Sequence, residues 1–208
     1  MSHYFSKHQR GFTLAELAVS IGIVFVILTV VVFNQSAYTD ASALSNLADQ
    51  IASTVSQAQA YGVAVRELNP GSANFSIAYG LSLSLLDPSY TTSYLFFADR
   101  NGNKAYDGTW ACATGDANEC LEKTAMLRGN YLDSICIIQS SGNEQCNSAK
   151  RTDITFLRPS LEAQLTVFNN GGQSYDPGNM RGVRMVLKSP KGLVRSVAVY
   201  ENGQISVQ

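Results

Sequence analysis

Asp99, Asn101, Asn103 and Asp107 stand at positions one, three, five and nine of a polar stretch. Alternate residues of a tight loop converge their side-chain oxygens, and calcium takes several oxygen ligands, so this spacing is like that of a calcium loop. Two departures weigh against it. Gly102 falls at position four rather than six, and Trp110 occupies position twelve, where a bidentate acid would stand. An Asn-Gly turn whose Asx side chains satisfy the local backbone accounts for the same residues. The turn is the preferred reading and calcium the alternative; no other cofactor is expected. The four cysteines, Cys112, Cys120, Cys136 and Cys146, are even in number, which in an exported domain points to two disulfides. The short spacings suggest Cys112 with Cys120 and Cys136 with Cys146, although three connectivities are open. Zinc is opposed by the wide spacing and the lack of a neighbouring histidine. Arg181, Arg184, Lys188, Lys191 and Arg195 concentrate near the C-terminus, and Arg184 and Lys188 fall on one side of a strand. Such cations can contact phosphates, but they equally form the solvated face of an antiparallel sheet. With 15 basic against 16 acidic side chains, the chain has no broad field to attract a nucleic acid. Catalysis is disfavoured by what is missing. His3 and His8 are the only histidines, no serine sits in a Gly-x-Ser-x-Gly elbow, and no carboxylate spacing points to general acid–base work.

Those groups must be positioned by elements downstream of an unusual N-terminus. A short polar leader carries Lys7 and Arg10, then Gly11, then an apolar block from Phe12 to Phe33 interrupted by one acid, Glu16. As a helix the block would be about 33 Å long, enough for a bilayer core of about 30 Å. The basic leader should stay on the cytoplasmic side while the remainder crosses. A carboxylate in an apolar span costs roughly 2.5–3.5 kcal/mol on insertion scales and ordinarily marks a function. A signal peptide cut near Ala41-Ser42-Ala43 is opposed by an apolar stretch too long for an h-region. A plain signal anchor gives no reason for Glu16 or Gly11.

Gly11-Phe12-Thr13-Leu14-Ala15-Glu16 and the apolar run behind it resemble the prepilin signal of type IV pilins and type II secretion pseudopilins. The resemblance implies cleavage between Gly11 and Phe12 by a prepilin peptidase, methylation of the new N-terminal Phe12, and pairing of Glu16 with a neighbouring subunit's N-terminal ammonium. Two charges that are each costly in apolar surroundings would then offset one another. It also implies pilin or pseudopilin subunits and an inner-membrane assembly platform as partners. The site would be the cytoplasmic membrane, crossed once, with the N-terminus inside and the globular domain outside.

From Asn34 to about Arg66, Leu44, Leu47, Ala48, Ile51, Val55 and Ala58 recur at three- and four-residue steps, opposite Asp40, Ser45, Asn46, Asp49, Ser53 and Gln57. This is one apolar stripe on a helix that continues beyond the membrane segment and packs on a sheet. After Pro70-Gly71 short strands are expected at Phe75–Gly80, Tyr94–Ala98, Ser134–Gln139, Asp153–Leu157, Gln164–Phe168, Gly182–Ser189, Leu193–Tyr200 and near Gln204–Val207. Pro190-Lys191-Gly192 and Asn202-Gly203 supply the turns of a C-terminal meander. The expected fold class is α+β. A long helix with a membrane half and an amphipathic half packs on an antiparallel β domain, divided as leader 1–11, membrane helix 12–33, amphipathic helix 34–66 and β-rich domain 67–208.

Leu95 to Asn103, with Tyr106 and Asp107, and the ending from Ser189 to Ile205 resemble the GspH/FimT type of minor pseudopilins and minor pilins. The cysteine-bearing insertion between Asp107 and Leu127 departs from that pattern. The resemblance implies a non-enzymatic filament subunit. The absence of proline before Pro70 leans toward the pseudopilin side, with a major pilin as the alternative. Some relatives of the minor-pilin branch bind DNA through a basic C-terminal region, which would here be Arg184, Lys188, Lys191 and Arg195. DNA is the disfavoured partner.

Overall fold

The computed structural model describes residues 11–64, 77–113 and 119–208. The leader before Gly11, the Pro70-Gly71 breaker, the last residues expected in the amphipathic helix and the start of the strand expected at Phe75 lie outside them. The chain divides into two compact units, Met1–Asp40 and Ala41–Gln208. One α-helix, α1 (Leu14–Val63), contributes to both.

In the first unit the helix is apolar from Leu14 to Val32, which is 19 residues with none of them buried. By length and composition it can cross a membrane. Its hydroxyls do not need outside partners. Ser20 Oγ donates to the Glu16 carbonyl at 2.8 Å and Thr29 Oγ1 to the Phe25 carbonyl at 2.8 Å, the back-bonding that lets such residues sit in an apolar helix.

In the second unit the fold is α+β, as expected, with the strands arranged in two antiparallel sheets. The first sheet holds β1 (Ala78–Ser84), β2 (Ser93–Asp99), β3 (Cys120–Ala125), β6 (Arg151–Phe156), β7 (Ala163–Phe168) and β8 (Ser174–Tyr175), in the order β3-β2-β1-β6-β7-β8. The second holds β4 (Tyr131–Gln139), β5 (Glu144–Ala149), β9 (Met180–Lys188), β10 (Val194–Tyr200) and β11 (Ile205–Val207), in the order β11-β10-β9-β4-β5. The stripe Leu44, Leu47, Ala48, Ile51, Val55 and Ala58 is buried. It shares one core with Tyr79, Leu81, Phe96 and Ile154 of the first sheet and Ile135, Val183, Met185 and Val197 of the second. The helix lies close on β6. A Cβ at Gly62 would fall 2.3 Å from the Phe156 carbonyl oxygen, and Arg158 N–H donates to the Gly62 carbonyl at 3.0 Å.

Four hairpins share one loop design. In β4–β5, β7–β8, β9–β10 and β10–β11, residues four apart close the ladder around a three-residue loop: Gln139 to Asn143, Asn169 to Gln173, Ser189 to Leu193 and Tyr200 to Gln204. Each loop ends on a glycine at positive φ, Gly142, Gly172, Gly192 and Gly203. This is the three-residue hairpin with its last residue in the left-handed region, which L side chains resist. Asn202-Gly203 therefore belongs to a three-residue loop with Glu201, rather than forming a two-residue turn by itself.

Three strands differ from expectation by being present at all: β3, β5 and β8. The first strand also runs Ala78–Ser84 where Phe75–Gly80 was expected. Both faces of β1 and β2 are buried, because residues of the 100–113 segment cover the side of the first sheet opposite the main core. Leu95, Phe97, Tyr106 and Trp110 form a second, smaller core there.

Candidate functional site

The first unit presents Gly11, Phe12 and Glu16 at the start of α1. Gly11 and Phe12 precede the helix and are exposed. Among the described residues, no atom lies within 4 Å of a Cβ added at Gly11. The described residues therefore leave room for a side chain at that position. Glu16 sits in the first turn. Thr13 N–H and Thr13 Oγ1 each donate to Glu16 Oε2 at 2.9 Å, and Glu16 N–H donates to Thr13 Oγ1 at 3.2 Å. Thr13 and Glu16 form a reciprocal capping box, which satisfies donors that the start of a helix leaves open. Sequence reasoning missed this second task of Glu16, although Thr-x-x-Glu ahead of an apolar run is its signature.

In the second unit the polar loop after β2 closes around Asp99, which is buried. Asp99 Oδ1 accepts from the Gly102 and Asn103 N–H groups at 2.7 and 3.2 Å, and Oδ2 from Lys104 N–H at 2.8 Å. Asn101 Oδ1 and Asn103 Oδ1 accept from the N–H groups two residues on, at 3.1 and 2.9 Å. The Asn101 and Asn103 amides donate to Asp107 Oδ2 at 2.7 and 2.5 Å. The structure thus brings together all four residues of the candidate calcium set. It adds one acid that the sequence spacing did not reach. Glu119 lies just before β3, and its two carboxylate oxygens accept from Arg100 N–H at 3.1 Å and Asp107 N–H at 2.9 Å. Burial pushes its carboxyl above the usual range, with Asp107 and Asp99 adding to the rise and the two backbone donors opposing it.

The loop is pinned to the sheet by a charge pair also absent from the sequence expectations. Asp153 on β6 is fully buried. It accepts from Ser82 Oγ at 2.6 Å, from Tyr106 N–H at 2.8 Å and from Arg151 Nε at 3.0 Å, and it pairs with Arg151 Nη2. Arg151 Nη2 also donates to the Tyr106 carbonyl, so both polar groups of the Tyr106 backbone are held. Burial raises the Asp153 carboxyl, with Arg151 and the hydrogen bonds pulling the other way. Burial likewise pushes the Tyr106 phenol up to about 12, and its hydroxyl donates to the Thr109 carbonyl at 2.6 Å. Trp110 Nε1 donates to Ser93 Oγ at 3.0 Å and its ring stacks on Tyr90 with centroids 4.7 Å apart. Perturbed acids can mark catalysis, but each oxygen of Asp153 and Glu119 is occupied by a donor of the chain.

The cysteines form two local disulfides, Cys112–Cys120 and Cys136–Cys146. Cys136, Glu144 and Cys146 cluster closely enough for a metal, but the two sulfurs are bonded to each other and offer no thiolate. On the meander, Arg184 pairs with Glu144 at 2.8 Å and donates to Gln208 Oε1, while Lys188 approaches Asp133 at 3.5 Å. Lys191 and Arg195 are exposed at and just after the β9–β10 turn.

Comparison with known families bears on the N-terminus. Residues 6–32 match the family model described as the prokaryotic N-terminal methylation motif. That stretch takes in Gly11, Phe12, Glu16 and all of the Leu14–Val32 apolar segment, and it supports a type IV pilin-like protein. No curated protein and no solved structure matches this chain.

Proposed function

We propose that the chain is a structural subunit of a pilin-type filament, a minor pseudopilin or minor pilin of the GspH/FimT kind. It would serve a type II secretion pseudopilus or a type IV pilus. The motif family is structural and not enzymatic. The single observation that carries the reading is the methylation-motif match over residues 6–32. It falls on a glycine around which the described residues leave open space and on an acid at the head of an apolar helix. A glycine with open space around it is explained by an outside reader, here a prepilin peptidase that cuts before Phe12 and methylates it. The Leu14–Val32 segment holds the subunit in the cytoplasmic membrane with its N-terminus inside until an assembly platform moves it into the filament, where Glu16 meets a neighbour's ammonium. The unbroken α1 (Leu14–Val63) favours a pseudopilin over a shaft-forming major pilin.

Intact-mass spectrometry of native material tests processing. The expected N-terminus is a methylated Phe12, and Gly11→Leu should leave the precursor uncut. An uncut wild-type chain, or an N-terminus near Leu44, would refute the reading. Glu16 is tested by two substitutions. Glu16→Gln keeps a capping acceptor but removes the charge, whereas Glu16→Ala removes both. If charge pairing drives assembly, both variants insert in the membrane and both fail to enter filaments. Normal incorporation of Glu16→Gln would reduce Glu16 to a helix cap.

A further inference from the structure

The second unit gathers exposed aliphatic side chains at one end. The turn Leu127–Gly129 packs beside the β9–β10 hairpin, where a Cβ on Gly129 would lie 3.0 Å from Pro190 Cγ. Tyr131, Lys188 and Val194 form one row across β4, β9 and β10. Leu127 is 74% exposed, Val194 49% and Leu193 39%. Arg128, Lys191 and Arg195 are exposed around them. At this end Asp133 pairs with Lys188, and Asp87 accepts from the Ser89 hydroxyl and N–H.

This is also the end from which the chain leaves for the membrane segment. Gln59 Nε2 donates to the Leu161 carbonyl at 3.0 Å and Gly62 lies against Phe156, at the opposite ends of the strands. Further back, Thr54 Oγ1 lies 3.4 Å from the Tyr94 hydroxyl, and Thr92, two residues before Tyr94, accepts from Met126 N–H. Running α1 back to Ala41 therefore leads to the Leu127 end. Only residues 33–40 separate Val32, the last of the apolar span, from Ala41. That tether is about 12 Å long as helix and reaches at most about 29 Å extended. Aliphatic tips ringed by cations, held this near a bilayer, have the composition of an interfacial membrane contact.

We propose that this end of the second unit, through Leu127, Leu193, Val194, Arg128, Lys191 and Arg195, docks on anionic lipid headgroups while the subunit awaits assembly. The proposal rests on the membrane-anchored reading above. Duplex DNA is the other polyanion these cations could meet, but phosphates offer nothing to the three aliphatic side chains, and Arg184 is occupied by Glu144. Tethering makes the contact intramolecular, so weak attractions suffice. Three cations near an anionic surface raise the docking equilibrium constant on the order of a hundredfold.

The test is hydrogen exchange of the full-length chain in vesicles of phosphatidylcholine alone, or of phosphatidylcholine with phosphatidylglycerol. Docking slows exchange at Leu127–Gly129 and Gly192–Arg195 in the anionic vesicles only, and the protection disappears in Lys191→Glu/Arg195→Glu, in Leu127→Ser/Leu193→Ser and at high salt. Circular dichroism and intact disulfides confirm that the variants fold. A chain that floats with both vesicles but exchanges alike in them overturns the docking and leaves the anchor standing. A chain that floats with neither overturns the anchor and the docking with it. Protection by a short DNA duplex added to zwitterionic vesicles, without protection by anionic lipid, assigns the surface to nucleic acid and overturns the lipid proposal.

Discussion

Asp153→Ala should detach the segment that covers the outer face of the first sheet. The side chain is fully buried and accepts hydrogen bonds from Ser82, Tyr106 and Arg151. Its loss leaves the Arg151 guanidinium, itself only 16% exposed, without its carboxylate. Breaking one side of a buried pair costs about 3–5 kcal/mol, and an orphaned buried N–H such as that of Tyr106 is worth about 1–3 kcal/mol. These overlap, so about 4 kcal/mol is the expected loss. For a unit of this size that lowers the melting temperature by about 10 °C. Thermal denaturation of the detergent-solubilised chain reads the cost. The fluorescence of Trp110, the chain's one tryptophan, reads the location: its emission should shift to the red once Tyr106 no longer anchors the loop. Arg151→Met/Asp153→Leu removes both charges and should cost less than the single change, about 1–3 kcal/mol, because it leaves Ser82 Oγ and the Tyr106 N–H and carbonyl without partners but no buried charge unpaired. A single variant that melts within about 2 °C of wild type, or a double variant as damaged as the single, would refute the claim that this pair pins the loop.

Calcium is tested at Asp99: if the loop takes the ion, calcium raises the melting temperature by mass action and Asp99→Ala abolishes the rise. If it is only an Asx turn, calcium changes nothing, and Asp99→Ala, which orphans three backbone donors, costs about 2–4 kcal/mol in either buffer. The turn is the expected outcome. Glu119 gives a pH signature. Its carboxyl is raised in the folded state, so the folded chain binds the proton more tightly than the unfolded chain, whose glutamate titrates near about 4.3. Relative to Glu119→Gln, the wild type should be most stable below that value and lose ground as pH rises through the folded-state value; melting curves at pH 4 and pH 7 check the sign, and a difference growing toward pH 7 would reverse it.

Much of the fold was legible because it repeats a simple period. The stripe from Leu44 to Ala58 is a helical face, and all six residues are buried. Val183, Met185 and Leu187 alternate inward on β9. The spacing of the cysteines matches the two bonds formed. What escaped was structure whose signal is not periodic apolarity. Strands β3, β5 and β8 are all sheet edges, and sequences such as Cys120-Leu121-Glu122-Lys123 carry no inward face to detect. Two of them were announced by their loops: Ser140-Ser141-Gly142 and Asn170-Gly171-Gly172 follow the plan of Pro190-Lys191-Gly192. Tyr106 and Trp110 looked like residues of a polar loop because the loop folds back over the outer side of β2, onto Leu95 and Phe97, with no apolar period of its own to show it. Asp153 and Glu119 are tied to that loop across 47 and 12 residues, distances over which local spacing is silent.

The ends of the two sheets carry a further consequence for a chain proposed to live packed against copies of itself. An open strand edge invites pairing with the same edge on the next molecule. Here β8 and β11 are two and three residues long, too short to template a ladder. The two longer edge strands are each tied at one point, β5 by Cys146 to its neighbour β4 and β3 by Cys120 to the covering loop, which restrains them from peeling off their sheets. Short or restrained edge strands make it harder for crowded copies to grow one sheet into the next, the route to irreversible cross-β stacking.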